Sequence, residues 1–186
     1  MSTDLPLHFD WVSKNDRRAR RIQSGFHHEI AALLGRVIPP GRRVLDAGCG
    51  DGQLLRALRP AQGVGLDISQ GMLERARADT AGGTCEFRQE DACTFRSDEA
   101  FDYIVLDFLV GYLPDVQACF ENLRGAAHAR TRICITSLNT AWSPMLRLGQ
   151  WLGAVTRQPP SNWLSTQDLV NLLELTGWEV VHRSTE

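Results

Sequence analysis

From Arg43 onward, short apolar runs alternate with helical patterns, and this alternation restricts the architecture more than any other feature. RVLDA reads as a buried strand, LLRAL as a helix, GVGLD as a strand and GMLERARA as a helix. TCEFRQ, FDYIVLD and RICITSL read as further strands, with a helix around Val116 to Ala126 between the last two. Strands joined by short helical crossovers run parallel, so an open, doubly wound, mostly parallel α/β sheet is predicted. Ahead of it, residues 12 to 36 are predicted to be helical in two pieces, because Ile22, Phe26, Ile30 and Leu33 recur at helical spacing. Pro39-Pro40-Gly41 then stops the helix. Ser165–Thr176 is predicted as a helix with Ser165 or Thr166 as N-cap and Gly177 just past its end, and WEVVHRS as a last strand.

A length of 186 residues suits one domain with a single core. The expected layout is a helical cap (1–40), a ligand-binding core (41–139), an insertion (140–164) and a terminal helix and strand (165–186). A formal charge of -2 gives no electrostatic reason to expect nucleic acid or an anionic membrane as partner. No apolar run approaches the length of a membrane span, and MSTDLPLHFDWVSKND lacks the basic-then-apolar build of a signal peptide. The five cysteines are scattered and never spaced CxxC, which fits reduced thiols in a cytoplasmic protein better than disulfides or a zinc site.

In a doubly wound sheet the ligand lies beyond the carboxyl ends of the strands, so the loop after the first strand is the place to look. That loop is VLDAGCGDG, with Gly48, Gly50 and Gly52 at alternate positions and Asp46 directly before them. A dinucleotide loop, G-x-G-x-x-G, would put its third glycine where this chain has Gln53. An acid at position 46 repels a pyrophosphate and attracts an amino group. The loop therefore argues against a phosphate-rich cofactor and for a cationic one.

With these residues the chain resembles the class I S-adenosylmethionine-dependent methyltransferases over nearly everything from Arg43 on. The resemblance implies a Rossmann-like fold and S-adenosyl-L-methionine as cofactor. It implies that the Asp46–Gly52 loop, with Asp46, Ala47, Gly48 and Gly50, lines the methionine half, Asp46 facing the ammonium. It implies that Asp67 binds both ribose hydroxyls, as a two-oxygen carboxylate suits a vicinal diol. Asp91 would take the adenine amino group, the Ala92 amide a ring nitrogen, Ile68 and Met72 the adenine faces, and the Leu106 carbonyl the ammonium. Taken singly, Asp67 also fits a dinucleotide fold and Asp91 also reads as an N-cap; three acids, each after its own strand, are what is specific. Cys49 reads as small-residue packing in the loop.

Methyl transfer from a sulfonium is an in-line displacement needing alignment, water exclusion and a base only if the acceptor keeps its proton. His27 and His28, about 100° apart if helical, are candidate bases, or else surface histidines. Asp107 either orients an acceptor hydroxyl or satisfies backbone donors after its strand, and Tyr112 would border the same pocket. DFLV after the fourth strand replaces the Asp/Asn-Pro-Pro-aromatic tetrapeptide of enzymes methylating base amino groups, and no cysteine follows a proline. A small-molecule acceptor, most often at oxygen, is the leading expectation; a non-catalytic cofactor-binding or scaffold module of a larger protein is the alternative. Asp107 with Asn139 is too thin a case for a metal, so none is expected. The segment Thr140–Trp163 carries three tryptophans and an apolar stripe, either packed on the domain or forming a lid over an apolar or sugar-lipid acceptor.

The resemblance also implies a seventh strand after WEVVHRS, for which no residues remain. The sheet is thus expected to lack its last strand, and the chain to be the N-terminal part of a longer polypeptide, or a dimer pairing that edge. The region from Asp107 to Val181 faintly resembles methyltransferase domains followed by a glycosyltransferase, which would make the acceptor a glycan or lipid-linked sugar.

Overall fold

The computed structural model describes residues 4–15, 28–78, 83–137 and 162–184. Two helices, α1 (Asp4–Asn15) and α2 (28–35), precede the sheet. There follow β1 (Arg43–Ala47), α3 (Gln53–Ala57), β2 (Gln62–Asp67), α4 (Gln70–Ala78), β3 (Cys85–Gln89), β4 (Phe101–Asp107), α5 (Val116–Leu123), β5 (Ala127–Thr136) and α6 (Thr166–Leu175). The strands form one sheet in the order β3-β2-β1-β4-β5, and each neighbouring pair is parallel. The expected doubly wound α/β sheet is what forms.

Strand alternation feeds two cores. Leu45, Ile104 and Leu106 join Phe120, Leu123 and Leu169 on the face covered by α5 and α6. Val44 and Val105 point the other way, into Leu34, Leu54, Leu55 and Leu73 of α2, α3 and α4. Central strands buried on both faces must be apolar almost throughout, which is why VLDA and IVL carry so few polar residues. The chain order reverses between β1 and β4, so the crevice at their carboxyl ends is the topological switch point.

Two expectations need correction. The first helical piece spans Asp4–Asn15 rather than beginning near residue 12. Pro6 sits in its first turn, where a missing N–H and a fixed φ cost nothing. Residues 16–27, with Ile22 and Phe26, lie outside the described residues, as does the 140–161 part of the insertion. The expected last strand does not form either: 178–184 has no regular structure and Val181 is 76% exposed. The chain is diverted before it can reach β5. The Trp178 indole N–H donates to the Phe120 carbonyl at 3.2 Å, and the Arg124 guanidinium lies over the Trp178 ring. The same guanidinium donates to the Thr176 and Gly177 carbonyls, fixing the exit from α6 along α5. The helix itself forms as expected: Ser165 and Asp168 make a reciprocal capping box and Gly177 takes φ +79°. No helix among the described residues is long and apolar enough to cross a membrane.

Candidate functional site

The loop after β1 is pinned to β2. The Gly48 and Cys49 amides both donate to the Leu66 carbonyl, at 2.8 and 2.9 Å. Gly52 is needed for space as well as conformation: at φ +73°, an added Cβ would lie 2.5 Å from the Phe87 ring. Gly50 differs, since a Cβ there would meet no protein atom within 4 Å. Its surface faces an open crevice, not a packed neighbour. Cys49 is buried, with its sulfur against Gly65, and burial followed by the charges of Asp46 and Asp67 pushes its thiol well above its ordinary pKa. It packs; it is not a nucleophile.

Three acids stand at the carboxyl ends of β1, β2 and β4. Asp46 is 1% exposed and neither carboxylate oxygen has a hydrogen-bond partner. Burial, then the charges of Asp107 and Asp67, raise its pKa well above the usual carboxylate range. A buried carboxylate without donors is costly, so this one calls for a cation. Ala47 and Leu106, on either side of the crevice, are fully buried.

Asp67 is placed differently. Its carboxylate accepts the Gly50 amide at 2.8 Å and the Ser69 amide at 2.8 Å, tying the β1 and β2 loops together. Burial raises its pKa, and the Ser69 and Gly50 amides oppose that rise. Beyond it, Ile68 is half-buried and Met72 buried on α4. Asp91 accepts the Cys93 amide at 2.8 Å, an Asx turn that orders the loop around the buried Ala92. Asp107 accepts the Thr136 hydroxyl of β5, and that hydroxyl accepts the Phe108 amide at 3.2 Å. Its bonds thus bind the ends of β4 and β5. His28 is exposed at the described start of α2, and His27 lies outside the described residues.

Sequence reasoning placed a helical cap over residues 1–40 but not the contacts of α1, which reaches residues past the ends of both β2 and β4. The Phe9 ring meets Tyr112, past β4, edge-on at 5.4 Å between centroids. One residue later, the Asp10 carboxylate accepts the Ser69 hydroxyl at 2.5 Å and the Gly71 amide at 2.9 Å, capping α4 past β2. His8, beside Phe9, has a buried Nε2 without a hydrogen-bond partner, and burial lowers its pKa. The signal was Asp4-Leu5-Pro6, an acid and a proline suited to a helix start. Removing the foreign cap, Asp10→Ala, is expected to cost about 1 kcal/mol and lower the melting temperature by about 2–4 °C, read by thermal denaturation.

A methyltransferase-domain family matches residues 16–183, so α1 precedes the matched region. The 2-phytyl-1,4-naphtoquinone methyltransferase of Synechococcus elongatus is 30% identical over 118 residues, 58% of this chain and 51% of that protein. The trans-aconitate 2-methyltransferase of Methylobacterium radiotolerans is 31% identical over 158 residues, 78% of this chain and 59% of that protein. This chain spans little more than half the length of these curated relatives. Its fold is similar to that of magnesium protoporphyrin IX methyltransferase from Synechocystis, solved with bound SAH: TM-score 0.70, 20% identity, covering 97% of this chain and 93% of that one.

Proposed function

Since this chain belongs to the family of S-adenosylmethionine-dependent methyltransferase domains, we propose that it transfers the methyl group to a hydroxyl oxygen of a small-molecule acceptor by in-line displacement. The observation that carries this reading is Asp46, a buried and unpartnered carboxylate behind a glycine loop whose Gly50 faces open space. The cofactor's ammonium is the cation such a group requires. When bound, the cofactor supplies a methyl group already activated on a sulfonium.

The chain's own task is to hold and to exclude. Asp46, assisted by the Leu106 carbonyl, would hold the ammonium, while Ala47, Gly48 and Gly50 let the backbone lie against the methionine half. Asp67 would accept the ribose hydroxyls, and Asp91, the Ala92 amide, Ile68 and Met72 would hold the adenine. The acids at the ends of β1, β2 and β4 favour a sulfonium over its neutral product. With Phe9 on Tyr112 and Asp10 on α4, α1 keeps water out of the crevice from above. Asp107 and Tyr112 border the acceptor side. The names of the two curated relatives specify small organic acceptors, which supports a small-molecule substrate here.

The test has two stages. Calorimetry with S-adenosylhomocysteine and with NAD should give heat only with the former; heat only with NAD would overturn the cofactor reading. Screening small hydroxyl compounds with methyl-tritiated cofactor then identifies the acceptor. A hydroxyl acceptor needs a base, so of His27→Ala, His28→Ala and His8→Ala, one should lower turnover by about 100-fold or more without changing cofactor binding. Unchanged turnover in all three would remove histidine from the chemistry.

A further inference from the structure

An unbroken run of contacts leads from the glycine loop to a histidine nitrogen that lacks a partner. Leu109 lies directly on Gly48, where an added Cβ would stand 2.9 Å from the leucine Cδ1. The Tyr112 amide donates to the Leu109 carbonyl at 2.9 Å, closing the short turn Val110–Tyr112 after β4. Asn162 holds this turn from outside, its backbone amide donating to the Gly111 carbonyl and its side chain to the Leu113 carbonyl, both at 2.6 Å. On the other side the Phe9 ring of α1 meets the Tyr112 ring edge-on at 5.4 Å, and His8 meets Phe9 edge-on at 5.3 Å. The His8 side chain is half-buried, yet its Nε2 is wholly buried and, among the described residues, has no hydrogen-bond partner. A buried imidazole nitrogen in that state carries a desolvation cost that a bound donor would remove.

We propose that the acceptor is a hydroxylated aromatic ring, and that His8 is the catalytic base that receives its hydroxyl proton at Nε2. This rests on the methyltransferase reading and narrows its acceptor. The rings of Phe9 and Tyr112 favour an aromatic acceptor, since ring edges and faces attract one another beyond the area they bury. The other candidate bases past β4 are already engaged. Asp107 accepts the Thr136 hydroxyl, and burial raises the Tyr112 pKa, keeping its phenol protonated. Acidity then decides between classes of hydroxyl. A phenol ionises at about pH 10, as tyrosine does, whereas an aliphatic hydroxyl is about as weak an acid as water, at about 15.7. Imidazole ordinarily titrates at about 6.5, and burial lowers that of His8, so only the phenol lies within practical reach of it.

The step balances as follows. With its own proton on Nδ1, His8 accepts the phenolic proton at Nε2 and becomes imidazolium. The phenolic oxygen forms the new O–C bond as the S–C bond breaks, and the electrons of the broken bond stay on sulfur. One positive charge thus leaves the sulfonium and one appears on His8, which returns its proton to water before the next turnover. Burial favours the neutral ring, so Nε2 is ready before the acceptor arrives.

The full chain, saturated with S-adenosylhomocysteine, is titrated with 2-naphthol, with naphthalene, which lacks the hydroxyl, and with 2-decalol, which lacks the aromatic rings. Ligand-observed NMR should show 2-naphthol binding about fivefold tighter than either analogue, one aromatic contact or one hydrogen bond in each comparison. In His8→Phe, which keeps a ring against Phe9, the advantage over naphthalene should vanish while that over 2-decalol remains. The melting temperature of this variant should not fall, because a phenyl ring leaves no unpartnered nitrogen. Methyl-tritium transfer to 2-naphthol should drop by about 100-fold or more in His8→Phe and in His8→Ala, and added imidazole should restore part of it in His8→Ala. Equal binding of 2-naphthol and 2-decalol, or binding of neither, overturns the aromatic acceptor. An advantage over naphthalene that survives in His8→Phe, or turnover unchanged in both variants, overturns His8 as the base. If the native chain does not bind S-adenosylhomocysteine, the methyltransferase reading falls, while the same titrations without it still report the aromatic site.

Discussion

Replacing Asp46 by Asn is expected to weaken S-adenosylhomocysteine binding by about 10- to 100-fold while making the ligand-free protein harder to melt. The first effect follows from losing a charge-assisted hydrogen bond to a buried ammonium, worth about 1.5–3 kcal/mol. The second follows from the buried position of Asp46 and its two partnerless oxygens in the free protein. An amide at that position is neutral and avoids the cost of a buried charge beside Asp107 and Asp67. A gain of about 1 kcal/mol would raise the melting temperature by about 2–4 °C. The pH dependence has a definite sign. The folded protein holds the Asp46 proton more tightly than the unfolded chain does, with burial as the first cause. Its contribution to stability is thus fully present below about pH 4, the unfolded value, and is lost as pH rises through the raised folded one. Ligand binding runs the other way, because only the ionised carboxylate attracts an ammonium, so affinity should rise over the same interval. Asp46→Asn should flatten both trends. Melting curves and calorimetry across pH measure them, and a variant that binds as tightly as the native protein would place the ammonium elsewhere.

Asp67→Ala should reduce the same affinity by at least tenfold, since two charge-assisted hydrogen bonds to the ribose are lost at about 1.5–3 kcal/mol each. The structure adds a second consequence. The carboxylate also accepts the Gly50 and Ser69 amides at 2.8 Å, and these lose their acceptor in the variant. About 1–3 kcal/mol of stability should go with them, lowering the melting temperature by several degrees. A carboxylate that only served the ligand would leave melting unchanged. Normal binding in this variant would show that the ribose lies elsewhere, and normal melting would show that the β1 and β2 loops do not depend on Asp67.

The architecture and the position of the crevice were legible in the residues themselves. Buried parallel strands need near-continuous apolar runs, and RVLDA, GVGLD and FDYIVLD announce themselves by that local requirement. A helix end is equally local, so Ser165 and Gly177 could be placed from the sequence. The acids Asp46, Asp67 and Asp107 follow from the same logic, Asp46 one residue before the end of its strand and the other two at the last position of theirs. What depends on contacts between distant segments was not legible. Nothing in WEVVHRS distinguishes a strand from an irregular segment, because the outcome is set by the Trp178 indole finding the Phe120 carbonyl, 58 residues away. Nor does DLPLHFD show that Asp10 caps a helix 61 residues further on, or that Phe9 lands on Tyr112. The lack of any partner for the Asp46 carboxylate is likewise a tertiary fact. Local sequence determined where the chain forms strands, turns and caps, since those energies arise within a few residues. The fold alone decided which polar groups are satisfied and which are left waiting for a ligand, since that depends on what the rest of the chain brings alongside them.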